Sequence, residues 1–420
     1  MKALQIRRSP AKLGLARVAS AIAPATAAKV GPLEYRQVDD PDVLGDDWHR
    51  VRTRLAGICG SDLALVEGHA SAYFEDWVSF PFVPGHEVVG QVDGPADGEP
   101  GRRVVLEPVL GHAARGFPLP FDGAAPGDGD DHAHLVGGHL EPGIQTGFCC
   151  STGGGWAPWF VAHDSQLHDV PDDMPDERAV LVEPLAAGIH AALLAWPTIE
   201  RNLGAVGGTD HGTGARPIVA VLGAGTMGLA AVTGLRRYLP GVEIIVGARY
   251  RHQQALAREL GADTAVSPDE LPRAVRRSAG CHVVGDHLSS GAHVTIDAVG
   301  TSASVGDCLR ITRPKGRVVL LGMPAHVSVD LTGLWHRETE LKGAYTYGTE
   351  TLPDGSVART FDLALTTATQ IAAERLLSAT YPLDQHVDAI AHAASAGRRG
   401  AVKIAFAPRD PLRDPRKGAR

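Results

Sequence analysis

The stretch that most constrains the fold of this 420-residue chain is a glycine pattern between a strand and a helix. A continuous apolar run at 217–222, typical of a strand buried in a parallel sheet, leads into Gly223-Ala-Gly225-Thr-Met-Gly228. A helical pattern follows to Leu239, so the three glycines lie at a strand-to-helix turn. In that context the spacing predicts a dinucleotide site, whereas the same glycines without a ligand would form an ordinary tight turn.

The three glycines have different expected roles in such a site. Gly223 permits the tight turn, Gly225 lets the backbone approach a pyrophosphate, and Gly228 allows the helix to pack closely on the strand. The backbone amides of Thr226 and Met227 would face the phosphates at the positive end of the helix dipole.

Strand and helix patterns then alternate, which is typical of a doubly wound α/β domain. Strands are predicted at 243–247, 294–299 and 316–321, and helices at 251–260 and 302–311.

The first 180 residues instead show short strands punctuated by glycine and proline, which predicts a barrel-like β-rich domain. Residues 110–145 are expected to form a long surface excursion. A helix carrying Glu183 is predicted at 179–196, followed by a glycine-rich link at 204–214.

Length and composition limit the class of protein. At 420 residues two domains are expected, and 44% apolar with 21% charged residues is the composition of a folded globular chain. The net charge of −8 without a basic stripe argues against nucleic acid as a partner. No uninterrupted apolar run reaches the length of a membrane span, so no membrane association is expected. Five cysteines do not make a disulfide framework, so a reduced, cytoplasmic protein is expected.

The end of the second strand of the α/β domain favours NADP over NAD as the cofactor. An NAD site usually places an acidic residue there, on the ribose hydroxyls. This chain instead has Gly247-Ala-Arg249-Tyr-Arg251, with no acid and two arginines that can bind a 2′-phosphate. Both arginines can also be ordinary surface residues at a strand end, so the missing acid is the stronger half of the inference.

Three possible metal ligands lie in two short segments of the β-rich part. Cys59 lies in Ala-Gly-Ile-Cys-Gly-Ser-Asp at 56–62, and His86 and Glu87 lie in Pro-Gly-His-Glu at 84–87. Taken singly, each of these residues is more often structural than a ligand. Together, in glycine-bracketed loops at strand ends, a thiol, an imidazole and a carboxylate suit zinc. A catalytic zinc takes three protein ligands and leaves a position open for water or substrate.

In this order the motifs resemble those of the zinc-dependent medium-chain dehydrogenase/reductase superfamily, in particular its alcohol and polyol dehydrogenases. The resemblance covers roughly residues 30–408 and also rests on Val-Glu-Pro-Leu at 182–185. It implies an α/β fold with a GroES-like β-rich catalytic domain and a doubly wound parallel-sheet Rossmann domain. The implied segments are 1–185 (catalytic), 186–338 (Rossmann), 339–408 (catalytic) and a disordered tail at 409–420. Homo-oligomers, dimers or tetramers, are usual in this family.

The resemblance also implies which residues bind the metal. Glu183 occupies the position where alcohol dehydrogenases have a second cysteine ligand. An acid at this position resembles the polyol dehydrogenases, in which Cys59, His86 and Glu87 would bind the metal. Glu183 would bind it directly or through water. The expected substrate is therefore a small alcohol, or the carbonyl compound formed from it.

Further roles are expected for the residues next to Cys59 and, by the same resemblance, for the nicotinamide side. Ser61 would be the catalytic proton acceptor, and Asp62 would orient His86 by accepting its second N–H. Alternatively, Ser61 and Asp62 form only a turn and a cap, in which both residue types are common. The proton would leave through water or His69, because 63–66 lacks the relay histidine of some alcohol dehydrogenases. The backbone on the nicotinamide side would come from Ala298, Val299, Leu321, Gly322 and Met323.

Many family members also carry a structural zinc in a four-cysteine lobe. The corresponding residues 107–150 contain only Cys149 and Cys150, at the end of the segment. Two adjacent thiols cannot supply four ligands, so one catalytic zinc and no structural zinc are expected, with both cysteines structural.

Two other functions stay compatible with the sequence. One is a zinc-free, NADPH-dependent reductase of activated double bonds, which has the same fold and needs no metal. The set of Cys59, His86 and Glu87 argues against it. The other is a non-catalytic protein that binds NADP, which would be expected to lose parts of the ligand and cofactor motifs.

Overall fold

The computed structural model describes residues 1–94, 100–204 and 216–408. The predicted disordered tail at 409–420 and all but the first residue of the glycine-rich link lie outside the described residues. The chain divides into two compact units, Met1–Glu183 with Leu365–Arg420, and Pro184–Ala364. This division by packing assigns 339–364 to the second unit, whereas the sequence resemblance assigned it to the catalytic domain. The domain bounds therefore stay a prediction.

Short strands and helices make up both units. In chain order the strands are β1 (Lys2–Ile6), β2 (Leu33–Gln37), β3 (Trp48–Gly57), β4 (Val88–Asp93), β5 (Pro100–Leu106), β6 (Trp159–His163), β7 (Leu167–Asp169), β8 (Ile218–Leu222), β9 (Glu243–Gly247), β10 (Thr264–Val266), β11 (Val283–Val284), β12 (His287–Leu288), β13 (Ala292–Asp297), β14 (Thr312–Leu320), β15 (Glu340–Gly343), β16 (Thr349–Thr351), β17 (Val357–Arg359), β18 (Leu377–Tyr381) and β19 (Lys403–Phe406). The helices are α1 (Pro10–Ser20), α2 (Pro24–Val30), α3 (Gly60–Val66), α4 (Asp176–Ala179), α5 (Val182–Leu193), α6 (Trp196–Gly204), α7 (Thr226–Tyr238), α8 (Arg251–Glu259), α9 (Leu271–Ala279), α10 (Ser302–Ile311), α11 (Thr332–His336), α12 (Thr360–Gln370) and α13 (His386–Ala394).

The first unit is built on a seven-stranded sheet, which confirms the predicted β-rich domain. Its order is β18-β19-β3-β4-β5-β7, with β6 paired to β3. Strand β3 is antiparallel to both β4 and β19, with Ala56 opposite Val88 and Gly57 opposite Ala405. The end of β3 therefore lies between the start of β4 and strand β19 from the C-terminal part of the chain.

The second unit contains a six-stranded parallel sheet in the order β10-β9-β8-β13-β14-β15. Numbered along the chain, this is the order 3-2-1-4-5-6 of the doubly wound dinucleotide-binding fold. The sequence prediction of such a domain is confirmed. The strand order reverses between β8 and β13, and ligands of these folds bind beyond the carboxyl ends of the strands at that point.

Two helical features differ from the sequence predictions. The expectation of strands throughout the first 180 residues was wrong at α1 and α2, whose alanine-rich segments begin with Pro10 and Pro24 at their N-termini. Proline is common at the first helical position because its missing N–H has no partner there. By length and composition, the helical stretch Asp176–Arg201 could cross a membrane. However, 78% of its most apolar window is buried, as in a core helix.

Residues 110–145, predicted as a surface excursion, fold around a buried arginine; we call them the Arg115 lobe. Arg115 is 1% exposed. Its guanidinium donates hydrogen bonds to four backbone carbonyls, those of Leu110 (3.2 Å), Gly137 (2.8 Å), Glu141 (3.2 Å) and Gly143 (2.7 Å). One charged side chain therefore cross-links loop segments that have little regular secondary structure.

The two adjacent cysteines lie at the edge of this lobe. Cys149 is buried and its thiol donates a hydrogen bond of 3.4 Å to the carbonyl of Glu141, whereas Cys150 is exposed. Burial raises the pKa of the Cys149 thiol. Cys149 therefore has the structural environment that was predicted for both cysteines.

We expect Arg115→Met to destabilise the first unit by about 3 kcal/mol, because four carbonyls lose a guanidinium donor while the side-chain volume is kept. Hydrogen exchange should accelerate in 110–145 before it does so in β3 or β4. The control Arg8→Met removes an exposed arginine paired with Glu75 and should change stability by about 0.5 kcal/mol. Equal effects of the two substitutions in urea unfolding would contradict the role given to Arg115.

Candidate metal centre

Three possible metal ligands converge at the junction of β3 and β4. One ligand atom each from Cys59, His86 and Glu87 lies within 4.8 Å of the other two. His86 is 4% exposed, Glu87 is fully buried, and Cys59 is partly buried. Thiol sulfur, imidazole nitrogen and carboxylate oxygen are together a suitable set for zinc. The structure therefore brings together the three residues that the sequence predicted.

The strand register places these residues side by side. The amide of Gly57 donates to the carbonyl of Glu87 (2.8 Å), and the amide of Ile58 donates to the carbonyl of Ile404 (2.9 Å). Cys59 follows Ile58 directly and precedes α3, so these backbone hydrogen bonds fix the position of Cys59 at the edge of the sheet.

Trp156 supports both ligand-bearing segments. Its indole N–H donates a hydrogen bond of 3.2 Å to the carbonyl of Gly57. Gly85, beside His86, has a φ of +99°, and a Cβ there would lie 2.4 Å from Cδ1 of Trp156. Glycine is required at this position both by its backbone conformation and by the close approach of the indole.

Lys403 is a site residue that the sequence reasoning missed. Its ammonium group forms an ion pair with Glu87, and both side chains are buried. Gly57 makes room for this pair, because a Cβ there would lie 1.9 Å from Oε2 of Glu87 and 2.8 Å from Cε of Lys403. The available signal was a single lysine in the apolar run at 401–407, since a lysine buried in a strand needs an acidic partner.

The electrostatics of the cluster favour a bound cation. Burial lowers the pKa of His86, but the charge on Asp62 and the hydrogen bond and charge of Cys59 outweigh this and raise it to about 10. Burial alone would also lower the pKa of Lys403, yet the charge on Glu87 raises it above its usual value. Both groups therefore hold a proton in response to the surrounding negative charge.

An unpartnered polar atom also indicates that the residues fit a metal ion. Within the described part of the chain, Oε1 of Glu87 is buried and has no hydrogen-bond partner, whereas Oε2 of the same carboxylate pairs with Lys403. Leaving such an atom buried and unpaired costs about 1–3 kcal/mol. A cation bound by this oxygen, the thiol sulfur and an imidazole nitrogen would reduce this cost.

Asp62 contacts two of the three candidate ligands, Cys59 and His86. Its Oδ2 accepts a hydrogen bond of 2.9 Å from the amide of Cys59, as a cap of α3. Its Oδ1 lies 3.6 Å from Nδ1 of His86, which is ion-pair contact but longer than a hydrogen bond. Burial raises the pKa of Asp62 above its usual value, and the charge on His86 offsets only part of this increase.

Ser61 and Glu183 lie outside the set of three. Ser61 is half-buried in the first turn of α3, and Glu183 is half-buried in the first turn of α5. The charge on Glu183 contributes to the raised pKa of both His86 and Lys403, so this carboxylate is within electrostatic range of the centre. Phe148, which the sequence did not indicate, has its ring 5.8 Å from that of His86 and supplies an apolar wall.

The predicted dinucleotide turn has the geometry of an anion cradle. Gly223 has a φ of +96°, and a Cβ on Gly228 would lie 2.0 Å from the carbonyl oxygen of Gly223, so helix and strand approach closely. A Cβ on Gly225 would meet nothing within 4 Å, and Gly225 gives α7 no side-chain cap. The amides of Thr226 and Met227 in the first turn are therefore free to receive a phosphate.

The residues predicted for the nicotinamide side lie beside this turn, beyond β13 and β14. The amide of Ala298 donates to Leu222 (2.9 Å). A Cβ on Gly223 would lie 2.7 Å from Val299. The amides of Leu321 and Gly322 both donate to the carbonyl of Asp297. Val299 and Met323 are about half exposed, at 48% and 51%.

The two predicted phosphate-binding arginines lie at the carboxyl end of β9. Arg249 follows the strand and Arg251 begins α8; both are exposed. In the described ranges neither forms an ion pair, so both guanidinium groups are available to a ligand.

Comparison with known proteins identifies the family of the chain. The family model "Alcohol dehydrogenase GroES-like domain" matches residues 45–172, and "Zinc-binding dehydrogenase" matches 226–361. Human sorbitol dehydrogenase is 27% identical over 310 residues, which is 71% of this chain and 74% of that protein.

Two solved structures have a similar fold. The 2R,3R-butanediol dehydrogenase of Bacillus subtilis has a TM-score of 0.64 at 18% identity and covers 97% of this chain and 99% of its own. Galactitol-1-phosphate dehydrogenase of Escherichia coli has a TM-score of 0.63 at 19% identity, covering 97% and 100%.

The chain belongs to the zinc-dependent medium-chain dehydrogenase superfamily, and it is an oxidoreductase of the alcohol and polyol dehydrogenase type. The GroES-like and Rossmann-type folds expected from the sequence are confirmed.

We expect Gly57→Ala to disrupt the metal centre, because the added methyl overlaps the buried Glu87–Lys403 pair. The substitution should cost about 1–3 kcal/mol of stability and lower the zinc content of the purified protein. Gly60→Ala is the matched control, since a Cβ there meets nothing within 4 Å. Zinc analysis that finds full occupancy in Gly57→Ala would contradict this geometry.

Zinc affinity should increase with pH, because the metal must displace the proton that His86 holds. With the pKa of His86 raised to about 10 in the metal-free protein, the imidazole is charged throughout the neutral range. Affinity should then increase about tenfold per pH unit for each displaced proton between pH 6 and 8.5. Competition with a chromogenic chelator measures this, and NMR of metal-free protein should show a lower His86 pKa in Asp62→Asn.

Proposed function

We propose that the protein is a zinc-dependent dehydrogenase that transfers a hydride between an alcohol and NADP, giving an aldehyde or ketone. The substrate is a polyol or a sugar-like alcohol. The observation that carries the proposal is the buried set of Cys59, His86 and Glu87 in a chain that also has the dinucleotide turn at 223–228. By likeness to its family, the protein would act as a homo-oligomer in the cytoplasm.

The metal centre would activate the substrate hydroxyl. A zinc ion held by Cys59, His86 and Glu87 would supply Lewis acidity, which lowers the pKa of an alcohol. Ser61, two residues after Cys59, accepts the hydroxyl proton, and its half-buried position lets it pass that proton to water. Asp62 fixes the Cys59 amide and the orientation of His86.

Lys403 and Glu183 contribute to the charge of the metal centre. The descriptions of the relatives favour a polyol as the substrate. Lys403 balances part of the charge of Glu87 and pairs with its Oε2, which leaves Oε1 for the metal. Glu183 supplies a further carboxylate within electrostatic range of His86. Sorbitol and galactitol 1-phosphate are polyols named in the relatives' descriptions, and they are the first substrates to test.

The nucleotide half supports NADP as the cofactor. NADP, when bound, would supply the hydride acceptor. The amides of Thr226 and Met227 bind the pyrophosphate, while Arg249 and Arg251 bind the 2′-phosphate at the end of β9. An acid that would bind a free 2′-hydroxyl is absent from 246–251, which disfavours NAD.

We expect Cys59→Ala to lose both zinc and alcohol oxidation, because the soft ligand is removed. Activity should fall by at least about 100-fold, and chelation of the wild type should have the same effect. Cys150→Ala, at an exposed cysteine, is the control and should retain both. A variant at Cys59 that keeps its zinc and its activity would refute the assignment, and NADPH-dependent reduction of an activated double bond that survives chelation would favour a metal-free reductase.

We expect a higher kcat/KM for NADP than for NAD with whichever alcohol proves active. Arg249→Ala should lower kcat/KM for NADP about 10- to 100-fold and leave that for NAD nearly unchanged, because only NADP carries the 2′-phosphate. Arg237→Ala, at an exposed arginine late in α7, serves as the control. A wild type that prefers NAD would overturn the cofactor assignment.

A further inference from the structure

A second possible ligand site lies wholly within the second unit. A cavity of about 370 Å³ opens between the α5–α6 junction and the hairpin of β16 and β17. This volume is within the range of small-molecule sites. Most of its wall is apolar, from Leu193, Leu194, Trp196, Pro197, Leu352 and Pro353. The remaining lining residues are Glu200, Glu350, Thr351 and Gly355.

Glu350 is the buried polar group of this cavity. It is 9% exposed, and its Oε1 accepts a hydrogen bond of 2.9 Å from Oγ1 of Thr360 and lies 2.6 Å from Nδ1 of His190. Both contacts use the same oxygen, which leaves Oε2 for a ligand. His190 in α5 and Thr360 at the start of α12 thus fix the position of the carboxylate.

The charge of the lining determines the kind of ligand. Glu200 is an exposed carboxylate at the same cavity, and none of the described lining residues is basic. His190, which contacts Glu350 from outside the lining, offsets one of the two negative charges when it is protonated, so the charge of Glu200 remains in either case. The adjacent Arg201 does not neutralise the cavity, because its guanidinium pairs with Glu340 (3.0 Å) and the carbonyl of Lys315 (3.2 Å). Two carboxylates and an indole around an apolar wall suit a positively charged group with an apolar body.

We propose that this cavity binds a small organic cation, with the charged nitrogen between Glu350 and Glu200 and the apolar part against Trp196 and Leu352. None of these residues belongs to the metal set or to the dinucleotide turn. The proposal therefore does not depend on the proposed dehydrogenase reaction.

Hexyltrimethylammonium is a suitable probe, because its nitrogen has no lone pair and cannot bind a metal. Trp196 lines the cavity, so binding should change the intrinsic fluorescence in a saturable way, with a Kd of about 1 mM. Hexanesulfonate has the same alkyl chain with a negative charge and should not bind. In Trp196→Phe the fluorescence change should disappear while calorimetric binding persists.

Two charge variants test the assignment. Glu350→Gln should weaken binding about tenfold or more, because the lost charge is buried. Glu200→Gln should weaken it about two- to fivefold, and it carries no risk to folding because Glu200 is exposed. The control Asp269→Asn, at an exposed acid outside the cavity, should bind like the wild type. Absence of saturable binding, equal binding of hexanesulfonate, or wild-type affinity in both glutamate variants would overturn the proposal.

Discussion

The ion pair between Glu87 and Lys403 is the interaction on which the candidate metal centre depends. Both groups are buried; Lys403 begins β19, Glu87 directly precedes β4, and both of these strands pair with β3. Removing one member of a buried pair leaves an uncompensated charge and usually costs about 3–5 kcal/mol. A side chain at position 57 would overlap the carboxylate of Glu87, so this position requires glycine. The centre is therefore coupled to the pairing of the N- and C-terminal parts of the catalytic unit.

The same pair explains why the cluster can hold so much negative charge. Asp62, Glu87 and Glu183 lie within electrostatic range of His86, and a metal-bound Cys59 would add a thiolate. Lys403 offsets one of these charges permanently. A divalent ion that displaces the proton on His86 would offset more, so metal binding and folding support each other.

Local motifs could be predicted from the sequence, but long-range partners could not. Cys59 and the pair His86–Glu87 were identified because each lies in a glycine-bracketed loop, and the turn at 223–228 because strand and helix patterns flank it. Lys403 was missed because its partner is defined by the register of β19 on β3, which no local pattern encodes. The Arg115 lobe was missed for a similar reason: every residue type has a backbone carbonyl, so the sequence does not indicate which carbonyls accept hydrogen bonds from Arg115. The ligand set remains a prediction, although the structure brings its three main members together.

X-ray absorption at the zinc edge tests the central claim most directly, because it identifies the ligands rather than their consequences. For zinc-loaded wild type with one ion per chain, the account predicts one sulfur at about 2.3 Å and nitrogen and oxygen ligands at about 2.0–2.2 Å. The sulfur should be absent from any zinc that remains in Cys59→Ala. A shell of several sulfurs, or a wild-type shell with no sulfur, would contradict a centre built on Cys59, His86 and Glu87.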